Sequence, residues 1–281
     1  MDEGGTGHGR RPRPGGALLS RTEVLTFAPE WLALREGADA EARTTAPLSL
    51  LYGHGRVVAD LGCGTGSMGR WLSPLLPEPQ HWILFDRDPE LQALAARSLP
   101  GVTVETRECE IEALRVEDLA GVTLVVCSAL LDLLTEGEAA HLARVVARAG
   151  CPALFSLTVV GRVELEPDDP WDTGFAAAFD AHQRRGGRLG PGAASFLAKT
   201  FHSLGRRVHS FPSPWRLGPN HPELTKTWLR GWVGAATAQD PDLPGPAYLE
   251  RRMAAHTVGE LTATVHHVDL VVLPDVVPQA P

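Results

Sequence analysis

Paired cysteines, long apolar runs and concentrated basic charge are all missing from this sequence. The four cysteines, Cys63, Cys109, Cys127 and Cys151, stand apart with no CxxC pair, which argues against a disulfide framework and suits a reducing, cytoplasmic setting. No hydrophobic stretch follows Met1 in the manner of a secretion signal. The longest apolar stretch, 122–134, is interrupted by Ser128 and Asp132, so it falls short of the roughly 18 to 20 residues that cross a bilayer and no membrane partner is expected. A net charge of −8 with 21% charged residues lacks the positive field that nucleic-acid binding requires. The chain also has no internal repeat.

What is present fits one catalytic unit. The 281 residues suffice for a single α/β domain with insertions and a full hydrophobic core. Residues 1–19, rich in glycine, arginine and proline at their start, predict a disordered tail. A helical segment follows over 20–55, with Pro47 dividing two helices. The remaining domain, 56–281, is expected to carry helical insertions near 161–190 and 212–262.

Within that domain, strand-like and helix-like segments alternate. Val57 to Leu61 is a short β-branched run that ends in glycines, and a helical stretch around Trp71 follows. Further strands are predicted at Trp82–Phe85, Val102–Thr106, Val122–Cys127, Pro152–Val159, Arg207–Phe211 and Ala263–Leu273. Asp88-Pro89 opens one intervening helix, Thr135 and Glu138 form a capping box for another that Gly150 ends, and Asp169-Pro170 opens a third reaching about Arg185. Later helices are expected at Ala193–Leu204, Leu224–Ala235 and Ala247–His256. This alternation predicts a doubly wound, Rossmann-like α/β fold with seven strands.

The segment Asp60-Leu61-Gly62-Cys63-Gly64-Thr65-Gly66 places three glycines at the carboxyl end of the first strand, where such sheets bind their ligands. Asp86 ends the second strand about 20 residues on, in position to accept both ribose hydroxyls of an adenosine. Gly64, Gly66 and Gly69 also satisfy G-x-G-x-x-G, so spacing alone leaves a nicotinamide dinucleotide, and an oxidoreductase, as the rival reading. Asp60 separates the two: a carboxylate just before the loop disfavours a pyrophosphate and suits the cationic amino-acid end of S-adenosylmethionine.

In these residues the sequence resembles the class I S-adenosylmethionine-dependent methyltransferases, whose D/E-x-G-x-G-x-G loop ends the first strand and whose acidic residue ends the second. The resemblance covers about Val57 to Val159. It implies a sheet order of 3-2-1-4-5-7-6 with the last strand antiparallel. It also implies an acidic residue near adenine after the third strand, Glu108 or Glu110, with Glu108 and its neighbour Cys109 preferred. The expected cofactor set is therefore Asp60, Gly62, Cys63, Gly64, Gly66, Asp86, Arg87, Glu108, Cys109 and Ser128, with no metal.

Methyl transfer asks the protein to hold a nucleophile near the methyl group and, where needed, to remove a proton. The fourth strand runs out through Ser128 to Asp132, where the related family brings residues toward the acceptor. His182 shares a helical face with Trp171, Phe175 and Phe179. Asp132 and His182 are the candidate proton acceptors, favouring O-methylation of a small molecule. Arg184 and Arg185 are solvated helix ends unless one turns inward to hold an acceptor anion. Trp215, Arg216, Trp228 and Trp232 could roof an apolar acceptor, although their helical spacing suits ordinary packing. The aromatic N/D-P-P-Y signature of nucleic-acid amino-methylation is absent. A cofactor-binding protein without catalysis is a third reading, and the sequence leaves oligomeric state open.

Overall fold

The structure, a computed structural model, describes residues 28–274. The expected tail at 1–19 and the first residues of the helical segment lie outside the described residues. The chain begins with α1 (Pro29–Ala42), a 3-10 turn at Ala46–Leu51, β1 (Val57–Leu61), α2 (Ser67–Leu72), β2 (His81–Asp86), α3 (Pro89–Arg97) and β3 (Thr103–Glu108). Next come β4 (Leu124–Ser128), α4 (Glu136–Ala149), β5 (Ala153–Glu166), α5 (Asp172–Gln183), α6 (Ala193–Ser203) and β6 (Arg207–Pro212). β7 (Trp215–Leu217), α7 (Pro222–Gln239), α8 (Gly245–Thr257) and β8 (Thr262–Leu273) complete it.

The sheet runs β3-β2-β1-β4-β5-β8-β6, with β8 antiparallel to both neighbours. This is the order implied by the resemblance, with one strand more than expected: β7 pairs with β8 off the main path. β1, β2 and β4 are almost wholly buried, as near-continuous apolar runs must be when helices cover both faces of a parallel sheet. One core layer packs Leu142, Val146, Leu197 and Phe201 of α4 and α6 on Ala59, Leu61 and Val125. The opposite layer packs Leu51, Leu72 and Ala95 on Val58, Leu84 and Val126.

β5 does not stop at Val159. It continues to Glu166 with Arg162 and Glu164 pairing on its exposed side, and its register to β8 shifts between Phe155 and Thr158 and between Val159 and Val163. The alternation of exposed and buried residues in 160–166 marks a half-covered antiparallel strand. Its far half and that of β8 carry a second core, in which Phe175, Trp228, Trp232 and Tyr248 join α5, α7 and α8. Phe175 stacks on Tyr248 at 4.0 Å.

Helix caps follow the sequence closely in two places. Thr135 and Glu138 exchange hydrogen bonds as a capping box at α4, and Asp88 accepts from the Glu90 and Leu91 N–H groups at α3. α5 begins three residues later than expected. Asp169 instead closes a turn ahead of it, accepting the Trp171 N–H at 3.0 Å while Asp172 accepts the Asp169 N–H at 3.1 Å.

Candidate functional site

A cleft of about 380 Å³ opens at the carboxyl ends of β1, β2 and β4. Its floor is the loop after β1. Gly62, Gly64 and Gly66 have φ of +69°, +52° and +87°, and a Cβ at Gly66 would lie 2.9 Å from Ser98 Oγ and 3.0 Å from Ala95 Cα. Glycine is therefore required there by both conformation and space. The Gly62 and Cys63 N–H groups donate to the Phe85 carbonyl at 2.8 and 2.9 Å, tying the loop to the end of β2. Asp86 tightens this link, since Oδ2 accepts the Gly64 N–H at 2.8 Å and Oδ1 accepts the Asp88 N–H at 3.0 Å.

Asp60 is 1% exposed, and among the described residues neither of its carboxylate oxygens has a hydrogen-bond partner. Burial pushes its pKa up to about 7, with Arg43 pulling it down and Asp86 adding to the rise. A sequestered carboxylate in this condition is costly unless a cation arrives to meet it. Arg43 is buried beside it and donates to Ser67 Oγ at 3.2 Å and to Ser128 Oγ at 3.0 Å. Leu32, Arg35, Asp39 and Arg43 all line the cleft from α1 and the residue after it. Arg35 binds Asp39 through Nε at 3.0 Å and lies over Trp215, whose indole N–H donates to Asp39 at 2.9 Å.

The expected cofactor residues mostly meet in this cleft. Asp60, Gly62, Cys63, Gly64, Asp86, Arg87, Cys109 and Ser128 line it, and Gly66 closes the loop beneath. Glu108 does not line it. β3 keeps its register with β2 to the end, with Asp86 opposite Glu108, and the Glu108 side chain lines a neighbouring hollow with Phe85 and Arg107. The Cys109 N–H then donates to the Asp86 carbonyl at 3.0 Å, and the chain turns so that Glu110 enters the cleft, 3.8 Å from Arg87. The strand extends two residues beyond its expected end at Thr106, which is why the residue that enters the cleft is Glu110.

Asp132 does not line the cleft. Its neighbours Leu130 and Leu133 do line it. Burial raises its pKa to about 6, against the pull of its own backbone N–H, Arg35 and Arg188. His182 is 7% exposed on α5 and is not part of the lining. Its pKa is lowered by burial first, then by Arg185 and Arg188. Trp171, placed with it by helical spacing, is 45% exposed, because the helix begins only at Asp172. Trp215, Trp228 and Trp232 belong to the second core and do not roof the cleft.

Sequence reasoning missed Arg35, Asp39, Arg43 and Arg188 as cleft residues. The first three were detectable, because Leu32, Arg35, Asp39 and Arg43 recur at helical spacing on one stripe. Charge on a stripe shared with a leucine signals a covered polar surface. Arg188 gave no such signal: Arg185 donates outward to Gln239 and Ala238, and only after Gly186 and Gly187, both at positive φ, does the chain bring an arginine into the cleft. Among the described residues no cluster of His, Cys, Asp and Glu could hold a metal, and no helix is long and apolar enough to cross a membrane.

A family model described as a methyltransferase domain matches residues 58–152. No curated protein matches the chain in sequence. Among solved structures, the chain is similar to the cyclopropane synthase MmaA2 from Mycobacterium tuberculosis, at 15% identity over 82% of each chain with a TM-score of 0.48. It is also similar to the YcgJ protein from Bacillus subtilis, at 14% identity over 88% of this chain and 99% of that one, again at 0.48. A Haemonchus contortus phosphoethanolamine N-methyltransferase shows 14% identity over 89% of this chain and 59% of that one, with a TM-score of 0.46. With the glycine loop, the buried Asp60 and the Asp86 contact in place, the match over 58–152 shows that this part of the chain is similar to a methyltransferase domain, for which S-adenosylmethionine is the cofactor.

Proposed function

We propose that the enzyme methylates an oxygen of a small-molecule acceptor, with Asp132 as the proton acceptor. The observation that carries this reading is the Asp132 carboxyl, next in sequence to the cleft-lining Leu133 and with its pKa raised by burial to about 6. A carboxyl whose pKa lies near the working pH is suited to relieve a hydroxyl of its proton as the new bond forms.

S-adenosylmethionine, when bound, supplies a methyl group activated by its sulfonium. The residues fit that group. Asp60, with both oxygens unpartnered, suits the ammonium, and Arg43 beside it suits the carboxylate of the same amino-acid end. Asp86 suits the ribose hydroxyls, while Arg87, Cys109 and Glu110 stand where the adenine edge would lie. Ser128 holds Arg43 in place, and Gly62, Cys63, Gly64 and Gly66 let the backbone approach closely. His182 is proposed as the second proton acceptor, behind Asp132, whose sequence neighbours Leu130 and Leu133 line the cleft while those of His182 do not.

The test is isotope transfer from methyl-labelled S-adenosylmethionine into a library of hydroxyl, carboxyl and amine metabolites, with products identified by mass spectrometry. Methyl ethers or esters are expected. Methylation confined to nitrogen or carbon would sink the oxygen reading while leaving the cofactor assignment intact.

A further inference from the structure

Four arginines line the cleft, and three have partners. Arg35 is held by Asp39, Arg43 by the hydroxyls of Ser67 and Ser128, and Arg87 lies against Glu110. The fourth, Arg188, has a guanidinium with no hydrogen bond or salt bridge among the described residues. Its backbone is nonetheless fixed: Arg188 forms an antiparallel bridge with Thr135, and the next residue, Leu189, donates its N–H to the Leu134 carbonyl at 2.8 Å. Asp132 lies within reach of its charge but makes no hydrogen bond or salt bridge to it among the described residues, and an anchored, half-buried arginine in that state is suited to receive an anion.

The wall around it limits what that anion belongs to. Leu130, Leu133 and Leu134 line the same side of the cleft, so an apolar body would be buried next to the charge. Two cleft carboxylates are committed elsewhere, since Asp39 takes Arg35 and the Trp215 N–H, and Glu138 takes the Thr135 N–H and hydroxyl, while Asp132 interacts with Arg188 only through its charge. A single planar fork matches a carboxylate in two parallel hydrogen bonds, whereas a phosphate dianion ordinarily gathers several donors.

We propose that Arg188 binds a carboxylate of the methyl acceptor, making the substrate class a small carboxylic acid with an apolar or aromatic body. This rests on the methyltransferase reading of the cleft and goes beyond it by naming the acceptor's charge. Arg43, buried beside Asp60, is left to the amino-acid end of the cofactor, so Arg188 is free for the acceptor.

The test uses the full chain and calorimetry. S-adenosylhomocysteine is titrated first, and failure of the wild type to bind it would overturn the methyltransferase reading itself. Benzoate, benzamide and inorganic phosphate are then titrated into the protein saturated with S-adenosylhomocysteine. Saturable benzoate binding without benzamide binding is expected. Arg188→Gln should bind S-adenosylhomocysteine as wild type does and benzoate roughly 10- to 100-fold more weakly, the usual scale for a charge-assisted pair. Arg188→Lys should keep part of that affinity. The proposal fails if benzoate does not bind, if benzamide binds equally well, if phosphate binds as tightly as benzoate, or if Arg188→Gln leaves benzoate binding unchanged. A loss of S-adenosylhomocysteine affinity in Arg188→Gln also overturns it, because the arginine would then serve the cofactor.

Discussion

Asp60 and Arg43 share the buried floor of the cleft, each sensing the other's charge, yet the Arg43 guanidinium donates to Ser67 and Ser128, and both Asp60 oxygens are unpartnered among the described residues. Before the cofactor binds, this carboxyl is partly protonated near neutrality, at a pKa of about 7 against an ordinary 3.8. A bound ammonium would favour the carboxylate, so binding below pH 7 should expel a proton. Cofactor affinity should therefore rise with pH, by up to about tenfold per unit below pH 7, and level off above it. Calorimetry at pH 6 in buffers of different ionisation enthalpy reads the released proton directly. The free protein should behave oppositely: a carboxyl with a raised folded pKa takes up protons on folding between about pH 4 and 7, so its contribution to stability falls as pH rises through that window. Asp60→Asn should remove the Asp60 share of both dependences, and a pH profile of affinity unchanged by that substitution would remove Asp60 from the site.

Asp86 is expected to do two things. Asp86→Ala should weaken S-adenosylhomocysteine binding by roughly 2 to 4 kcal/mol, from two charge-assisted hydrogen bonds that add incompletely. Because Asp86 also accepts the Gly64 and Asp88 N–H groups, the variant should in addition melt at a lower temperature. Normal affinity in a folded variant would show that the ribose is held elsewhere.

Asp132→Asn should leave S-adenosylhomocysteine binding intact and lower turnover by roughly 100- to 10,000-fold, the span of a positioned base. The rise of activity with pH near 6, where Asp132 loses its proton, should vanish with it. His182→Ala supplies the contrast. Buried and outside the cleft lining, His182 should on truncation leave a cavity and lower the melting temperature, with turnover per folded molecule kept. Loss of turnover at normal stability in His182→Ala, with Asp132→Asn fully active, would exchange their roles.

Away from the cleft, Asp172 accepts the Tyr248 hydroxyl at 2.5 Å and also accepts from Arg252, whose side chain is 3% exposed. Asp172→Ala strands that arginine, and an uncompensated buried charge costs roughly 3 to 5 kcal/mol. Urea denaturation should show an unfolding free energy lower by about that amount. A midpoint within error of wild type would mean that Arg252 finds solvent or another acceptor.

Much of this molecule was determined by local sequence. The β1 run, the glycines that must take positive φ, the acidic end of β2 and the Thr135–Glu138 cap each depend on neighbours within a few residues, and their periodicity shows in the chain itself. Even the stripe of Leu32, Arg35, Asp39 and Arg43 was written there at helical spacing. What tertiary structure alone decided were outcomes that depend on distant partners. Pairing with β2 carried β3 through to Glu108 and so put Glu110 in the cleft. Pairing with β8 carried β5 on to Glu166 and gave β7 its place. The fate of charged side chains was decided at the same level, because a short sequence window does not reveal which acid reaches which arginine: Asp39 meets Arg35 and Trp215, whereas Arg188, anchored through its backbone to Thr135, lines the cleft without a salt bridge among the described residues.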